Sequence, residues 1–398
     1  MRFVPSHIWY ILCVFLMGSL NAQEKRPKKA FVNGYLKEMI TLNDLRDSTL
    51  VDNLIHNRLN FRWYPSDNLR VYGALRTRLF IGETTNLLGD DFVDFIEYDT
   101  YFFDLSWTIY NEGAIMLYTM IDRLYLEWLH NDITLKVGRQ RINWGISTVW
   151  NPNDIFNAYS YFDFDYEEGP GTDAIRLEYY TGINSSLDIA VSLPGETIGL
   201  DGRNINTLSA ALMYKTNHWN YDFQFLAGYS RENWVLGAGW AGNLGSASLK
   251  GEMSYFLPVE ETELDPKAFV GTISIDHSIK NLNYNLSYLF NSAGSNDLGA
   301  EGLLLLNSKS ITAKNLSPYK HSAFIQASYQ FYPLVSGGMG VMIFPPNKTI
   351  FLSPFATWNV FQDFDIDFIV QGFWGENIAS ESFRALSISY FLRGKWSF

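Results

Sequence analysis

Charged side chains of opposite sign, kept in separate stretches of the chain, are the residues best placed to do chemistry. Arg58, Arg62, Arg70, Arg76, Arg78, Arg123, Lys136 and Arg176 all fall in the first half of the sequence, and Arg139 and Arg141 fall among them. Two stretches carry only acids. Residues 82–113 hold Glu83, Asp90, Asp91, Asp94, Glu97, Asp99, Asp104 and Glu112 with no Lys or Arg. Residues 145–173 hold Asp154, Asp163, Asp165, Glu167, Glu168 and Asp173, again without a cation. A ladder of one sign facing acids of the other makes a transverse field, and charge ladders of this kind set selectivity in pores. Asp90, Asp91, Asp94, Asp154, Asp163 and Asp165 are the expected constriction acids. The competing reading is that these acids neutralise the arginines and pack a plug, because a buried charge needs a partner either way.

Other chemistry finds little support. A hydrolase needs a nucleophile beside a base and an orienting group, and none of His56, His130, His218, His277 and His321 has a serine partner by spacing. No catalytic residue is expected. The only cysteine is Cys13, so thiolate metal sites and disulfides are excluded downstream of it. Asp163–Glu168 offers hard oxygens but lacks the ligand spacing of a calcium loop, so no metal and no cofactor is expected. A net charge of -12 argues against nucleic acid as a partner.

Only one kind of element positions these charges. The dominant period is two: Leu59, Phe61 and Trp63 alternate with Arg58, Asn60 and Arg62, and Leu69, Val71, Leu75, Leu79 and Ile81 alternate with Arg70, Tyr72, Arg76 and Arg78. Each strand therefore has one apolar and one charged wall. The pattern recurs at Ile175–Tyr179, Leu187–Ser192, Tyr221–Phe225, Leu282–Tyr288 and Phe364–Phe368. Short turns, among them 65–68, 131–132, 242–245 and 361–363, alternate with long connections at 82–113, 145–173 and 292–320. That alternation is the plan of a transmembrane antiparallel up-and-down β-barrel. The fold class is therefore all-β, with about 18 strands expected and 16 as the alternative. In hydrocarbon every backbone polar group must be paired internally, which a closed barrel achieves without edges. The apolar parity then faces lipid and the charged parity faces the lumen. Trp63, Trp128, Trp219, Trp358 and Trp396 lie near the short-turn end, where an aromatic girdle belongs. Leu386, Ile388, Tyr390, Leu392, Trp396 and Phe398 share one parity in an aromatic last strand.

One segment breaks the alternation. Ile133, Leu135 and Val137 face lipid, so strict alternation sends Arg139 and Arg141 there too, at a cost of about 2–4 kcal/mol each at mid-membrane. A bulge at Gly138 would turn both inward.

The amino end reads as an address. Arg2 precedes an apolar run, Ile8–Leu20, too short to span a bilayer, followed by Asn21-Ala22 and a polar stretch. A signal peptide over 1–22 is expected, with the barrel over 23–398. The short segment before the first strand near Phe31 leaves no room for a plug domain of the TonB-dependent kind.

Gly138-Arg139-Gln140, Trp144-Gly145 and Trp150-Asn151-Pro152-Asn153-Asp154 with Phe156-Asn157 together resemble a motif of porin-like Gram-negative outer-membrane proteins, which include DUF1302-type barrels and relatives of alginate-export porins. The motif covers about 20 residues. The resemblance implies a β-barrel channel and says nothing of its solute. The combined expectation is a porin-like outer-membrane channel for passive diffusion of small polar or anionic solutes, reached after signal cleavage. Its partners would be membrane lipid, small solutes and either further copies or other envelope proteins. The alternative is a non-conducting barrel that scaffolds an outer-membrane complex.

Overall fold

In a computed structural model the described residues are 29–45, 48–96, 102–198, 204–263, 265–298, 311–345, 348–377 and 382–398. The expected signal peptide and its cleavage point, with Glu97 and Asp99, lie outside them.

The chain opens with β1 (Ala30–Asp44), β2 (Thr49–Ser66) and β3 (Leu69–Gly82), then two short helices, α1 (Glu83–Leu88) and α2 (Asp90–Ile96). There follow β4 (Ser106–Glu112), β5 (Ile115–His130), β6 (Ile133–Gln140), β7 (Thr172–Gly182) and β8 (Ser185–Ser192). A small outer hairpin, β9 (Glu196–Ile198) with β10 (Asn204–Asn206), precedes β11 (Ser209–His218), β12 (Tyr221–Ser230), β13 (Asn233–Leu244) and β14 (Ala247–Pro258). The last third comprises β15 (Ala268–Ile279), β16 (Leu282–Asn291), β17 (His321–Tyr332), β18 (Val335–Phe344), β19 (Thr349–Phe361), β20 (Phe364–Asn377) and β21 (Ser382–Ser397).

Every pairing in the main sheet is antiparallel. The sheet closes because β1 pairs with β2 on one edge and with β21 on the other, so that Leu36 stands opposite both Asn57 and Trp396. Eighteen strands form the closed wall, as expected. The nineteenth, β4, pairs only with the outer half of β5, where the eight-residue β6 has already ended.

Local sequence explains the turns. Trp219 and Asn220 (φ 53° and 63°) hold the left-handed pair that matches the twist of a two-residue hairpin. Arg231 and Glu232 (φ 47° and 64°) do the same at the opposite end, so a tight turn occurs there as well as long loops. Outward positions are apolar and uncovered, as at Trp63 (45%), Ile175 (51%) and Leu236 (60%). In water these would be costly, whereas in lipid they are the expected surface.

Two register details differ from expectation. Both ladders run without a skip through Gly138, so there is no bulge there. The extra residue lies across the sheet in β5: Ala74 pairs with Arg123 and Leu75 with Ile121, leaving Asp122 unpaired. As a result Asp122 and Arg123, though adjacent, are both buried. The second skip falls at Leu386, which stands between the partners of Phe373 and Trp374. It turns Leu386 away from the lipid face and onto the interior apolar cluster. Ile388 onward keeps the lipid-facing side that Leu386 leaves.

The interior is divided. Residues 142–162 and 311–319 pack on the inner wall of β7–β20 through Trp144, Trp150, Phe162, Tyr319, Phe324 and Phe351, an apolar cluster filling that side of the lumen. The other side, from β21 across β1, β2, β3 and β5 to β7, is polar and charged.

Candidate permeation site

The polar side is built by a loop folded into the barrel. Residues 141–171 leave the wall after β6 and are held by side chains from distant strands. The Glu252 carboxylate of β14 accepts the backbone N–H groups of Ile146 (2.5 Å), Ser147 (2.6 Å) and Asn153 (3.2 Å). Asn153 Nδ2 donates to the Ala238 carbonyl at 3.0 Å, and Ser254 Oγ donates to Asn153 Oδ1 at 2.8 Å. This fit needs glycine, since a Cβ at Gly237 would stand 2.5 Å from Asn153 Oδ1. Trp144 Nε1 donates to Asp188 at 2.7 Å, and the Trp144 N–H donates to Asp154 Oδ1 at 3.4 Å. The residues of the sequence motif are thus the anchors of the loop. Burial pushes the Asp154 carboxyl up to about 7, against the nearby Arg141 charge.

The loop delivers acids to the basic wall at residues 163–168. Asp165 meets Lys37 Nζ at 2.9 Å and His56 Nδ1 at 2.7 Å, with Arg393 Nη1 at 3.5 Å. Burial alone would raise the Asp165 carboxyl, but the His56 hydrogen bond and the Lys37 charge hold it well below the usual carboxylate range. Glu167 pairs with Lys395 at 2.8 Å and Arg393 at 3.3 Å. Arg393 also binds Asp367 at 2.9 Å. Arg123 Nη2 donates to the carbonyls of Glu168 and Gly169 at 3.1 and 2.7 Å. Asp122, freed by its bulge, receives Arg58 and the Tyr166 hydroxyl.

The sequence-derived cations divide into two groups. Arg58, Arg70, Arg123, Lys136, Arg139 and Arg176 each have a carboxylate, among them Arg70–Glu127 (3.2 Å), Lys136–Glu178 (3.0 Å) and Arg176–Asp188 (2.6 Å). Among the described residues no carboxylate lies within 4 Å of Arg62, Arg76, Arg78 or Arg141. Arg76 stacks 3.9 Å from the Tyr166 ring centre, and Arg78 lies 5.2 and 5.1 Å from those of Phe80 and Tyr118. The Nε atoms of Arg76 and Arg78 are buried without a hydrogen-bond partner. Arg141 donates to the Glu168 carbonyl at 2.6 Å and faces the Tyr159 ring at 5.1 Å, and Arg62 lies 5.9 Å from the ring of Tyr72.

Arg139 is placed differently from the expected inward turn at a bulge. Gly138 adopts φ 119°, which a side chain rarely tolerates, and its Cβ would stand 2.3 Å from the Leu124 carbonyl oxygen. Immediately after it, Arg139 is 1% exposed and closed on Asp173 at 2.9 Å and on the Ile121 carbonyl at 3.3 Å, with the Phe103 carbonyl beside it. This pair seals the seam where β6 gives way to β4. The expected acids also separate. Asp163 and Asp165 reach the basic wall, and Asp154 sits in the loop anchor near Arg141. Asp90, Asp91 and Asp94 lie on the exposed side of α2, whose Phe92, Val93 and Ile96 pack against Met116, Tyr118 and Met120.

Lys37, His56, Arg393 and Lys395 belong to the cluster and were not singled out in the sequence. Lys37 alternates with Leu36 and Glu38, and Arg393 and Lys395 have the parity opposite Leu392 and Trp396. What joins them to Arg58 and Arg76 is closure of β21 onto β1, a non-local fact. A cavity of 260 Å³ between Trp144, Lys215 and Gln224 opens near the short-turn end, and one of 90 Å³ lies between Ile155, Arg231 and Lys314 toward the other.

No protein-family model matches the chain, and no curated protein does. Solved structures do. OccAB4 of Acinetobacter baumannii matches with a TM-score of 0.59 at 10% identity over 94% of this chain and 100% of its own. OccK5 (OpdH) of Pseudomonas aeruginosa gives 0.59 at 8% identity, covering 93% and 99%. OpdK of the same organism, solved with vanillate, gives 0.58 at 9% identity, covering 93% and 99%. At such identities the likeness is one of fold: the chain shares the closed 18-stranded barrel of these porins.

Proposed function

We propose that this chain is an outer-membrane porin-like channel through which small polar or anionic solutes diffuse along the basic wall. The observation that carries the reading is the pair Arg76 and Arg78, adjacent inward positions of β3 whose guanidinium groups meet aromatic rings and no carboxylate. A buried cation with no carboxylate in contact is costly, and an anion in transit relieves that cost. Arg58, Arg62, Arg70, Arg123, Lys136, Arg141 and Arg176 make up the rest of the wall, while Arg139 is closed on Asp173 at the seam. Of these, Arg62 and Arg141 add unpaired charge, and the others act through their acid partners. The porin neighbours support a channel for small solutes, and OpdK with vanillate extends the solute class to small organic anions. The barrel reaches the outer membrane after cleavage behind Ala22, with 23–398 as the mature chain. Membership of the DUF1302-type or alginate-export families rests on the loop motif.

The apolar cluster that fills one side of the lumen favours a second reading, a non-conducting barrel that scaffolds an envelope complex. Planar-bilayer recording separates the two. A channel gives discrete conductance steps whose anion preference fades when Arg76, Arg78 and Arg141 are changed together to Ala. A scaffold gives no steps at any salt concentration.

A further inference from the structure

Among the described residues the outer surface carries one polar band, and it crosses four neighbouring strands. On β1 Glu38 stands between Leu36 and Ile40, both outward and exposed, and is itself exposed. On β2 Asn53 and Asn57 alternate with Val51, Ile55 and Leu59, and Asn53 Nδ2 donates to Glu38 Oε1 at 3.0 Å. Asn57 pairs in register with Thr77 of β3, which pairs in turn with Thr119 of β5, and the two hydroxyls lie 2.9 Å apart. On the other strands the outward positions at mid-height are apolar, aromatic or glycine, as in Ile175–Tyr179, Leu212–Tyr214, Met253–Tyr255 and Ile325–Ala327.

The centre of the band lies inside the hydrocarbon layer. Asn57 is six residues above the girdle residue Trp63 on β2. At about 3.3 Å per residue and a tilt of about 45° that is about 14 Å, the middle of an apolar belt about 25 Å tall. Among the described residues no cation pairs with Glu38, and Asn53 Oδ1 is buried without a partner. An amide or carboxylate with unmet hydrogen bonds in lipid is expensive. Five polar side chains collected on one face, with apolar ones elsewhere, mark a surface that lipid does not cover.

We propose that a second copy of this chain covers it, related by a two-fold axis along the membrane normal beside Asn57. The band is self-complementary about that point. In a tilted barrel each hydrogen-bonded rung climbs about 3.4 Å per strand. The same climb brings Trp63, Trp128 and Trp396 to one end. It sets Glu38, Asn57 and Thr77 within about 4 Å of one height, with the acceptor on one side and the hydroxyl donor on the other. A two-fold axis brings equal heights together. The Glu38 carboxylate of each copy then meets the Thr77 hydroxyl of the other, and the two Asn57 amides face each other. A cyclic trimer would set this band against an apolar face and leave Glu38 unmet.

The test uses the full-length protein in its membrane, in a Cys13→Ser background. Asn57→Cys and, one outward position nearer the girdle, Leu59→Cys are oxidised with copper phenanthroline. A covalent dimer of twice the chain mass is expected from both, and none from Ile189→Cys on the apolar face of β8. Native mass spectrometry of the unmodified protein in lipid nanodiscs is expected to show dimers, with the dimer fraction falling at least tenfold in Glu38→Leu. Monomers from both cysteine variants, with folding verified by heat-modifiable migration, would overturn the proposal. So would adducts of another mass, trimers, or an unmodified protein that is monomeric in nanodiscs.

Discussion

Replacing Glu252 with Ala should release the infolded loop while leaving the barrel closed. The Glu252 carboxylate is the acceptor for three backbone N–H groups, those of Ile146, Ser147 and Asn153, in a site 1% exposed. Each buried donor left unmet costs about 1–3 kcal/mol, so the three together set a ceiling of about 3–9 kcal/mol. The loop escapes that cost by moving to where water can satisfy the donors. The wall has no such exit, because its pairing is continuous through β13, β14 and β15 on either side of position 252. Glu252→Gln keeps the shape and a single acceptor oxygen, and should fall between. The assay is protease cleavage within residues 145–171 on intact membranes, read beside conductance in planar bilayers. Glu252→Ala should become cleavable there and conduct more, with unchanged heat-modifiable migration of the barrel. Wild-type protease resistance and conductance would refute the anchoring role, and loss of the folded barrel would show that loop and wall are one cooperative unit.

Removing one partner of the Arg139–Asp173 pair, as in Arg139→Leu, should destabilise by about 3–5 kcal/mol because it strands a buried charge. Changing both to apolar residues should recover most of that, as read from urea unfolding midpoints. Loop protection should depend on pH through Asp154, whose carboxyl is raised from 3.8 to about 7. A raised acid stabilises the folded form most below its unfolded value, and that contribution is lost as pH rises through about 7. Asp165 is held far below its usual range, so its contribution is present above pH about 4 and is lost progressively only below that. Protease resistance should therefore weaken from pH 5 to pH 8 in the wild type and weaken less in Asp154→Asn, and opening on acidification from pH 5 to pH 4 would contradict it. Deleting Phe398, whose N–H and C=O pair with Gly34 of β1, should lower the amount of assembled barrel more than its conductance, measured by quantitative immunoblot of membranes.

Much of this architecture is legible in the sequence because a barrel wall is a local pattern. Leu59–Phe61–Trp63 against Arg58–Asn60–Arg62 declares its two faces without knowledge of any partner. What involves two strands at once is hidden. A bulge belongs to a pair: the chain offers Gly138, the obvious glycine, whereas the ladder skips across the sheet at Asp122 and leaves the register of Arg139 unbroken. Leu386 has the parity of the lipid face and leaves it for the same reason. Along the chain the arginine sector begins at β2, since nothing in the sequence shows that Lys37, Arg393 and Lys395 become its neighbours when the barrel closes. The acids of α2 are spaced like constriction residues, yet Phe92, Val93 and Ile96 decide which way that helix faces. Glu252 reads as one more lumenal carboxylate, and its role emerges only once the loop folds onto it.

The most direct measurement is the reversal potential of the purified barrel in a planar bilayer under a salt gradient. An arginine wall in a narrow, low-dielectric passage outweighs acids in a wide mouth, which salt screens over about 8–10 Å. The predicted result is a weak anion preference that vanishes or reverses when Arg76, Arg78 and Arg141 are together replaced by Ala. A cation preference that this triple change leaves unaltered would contradict it, and would make the arginines structural partners of the loop alone.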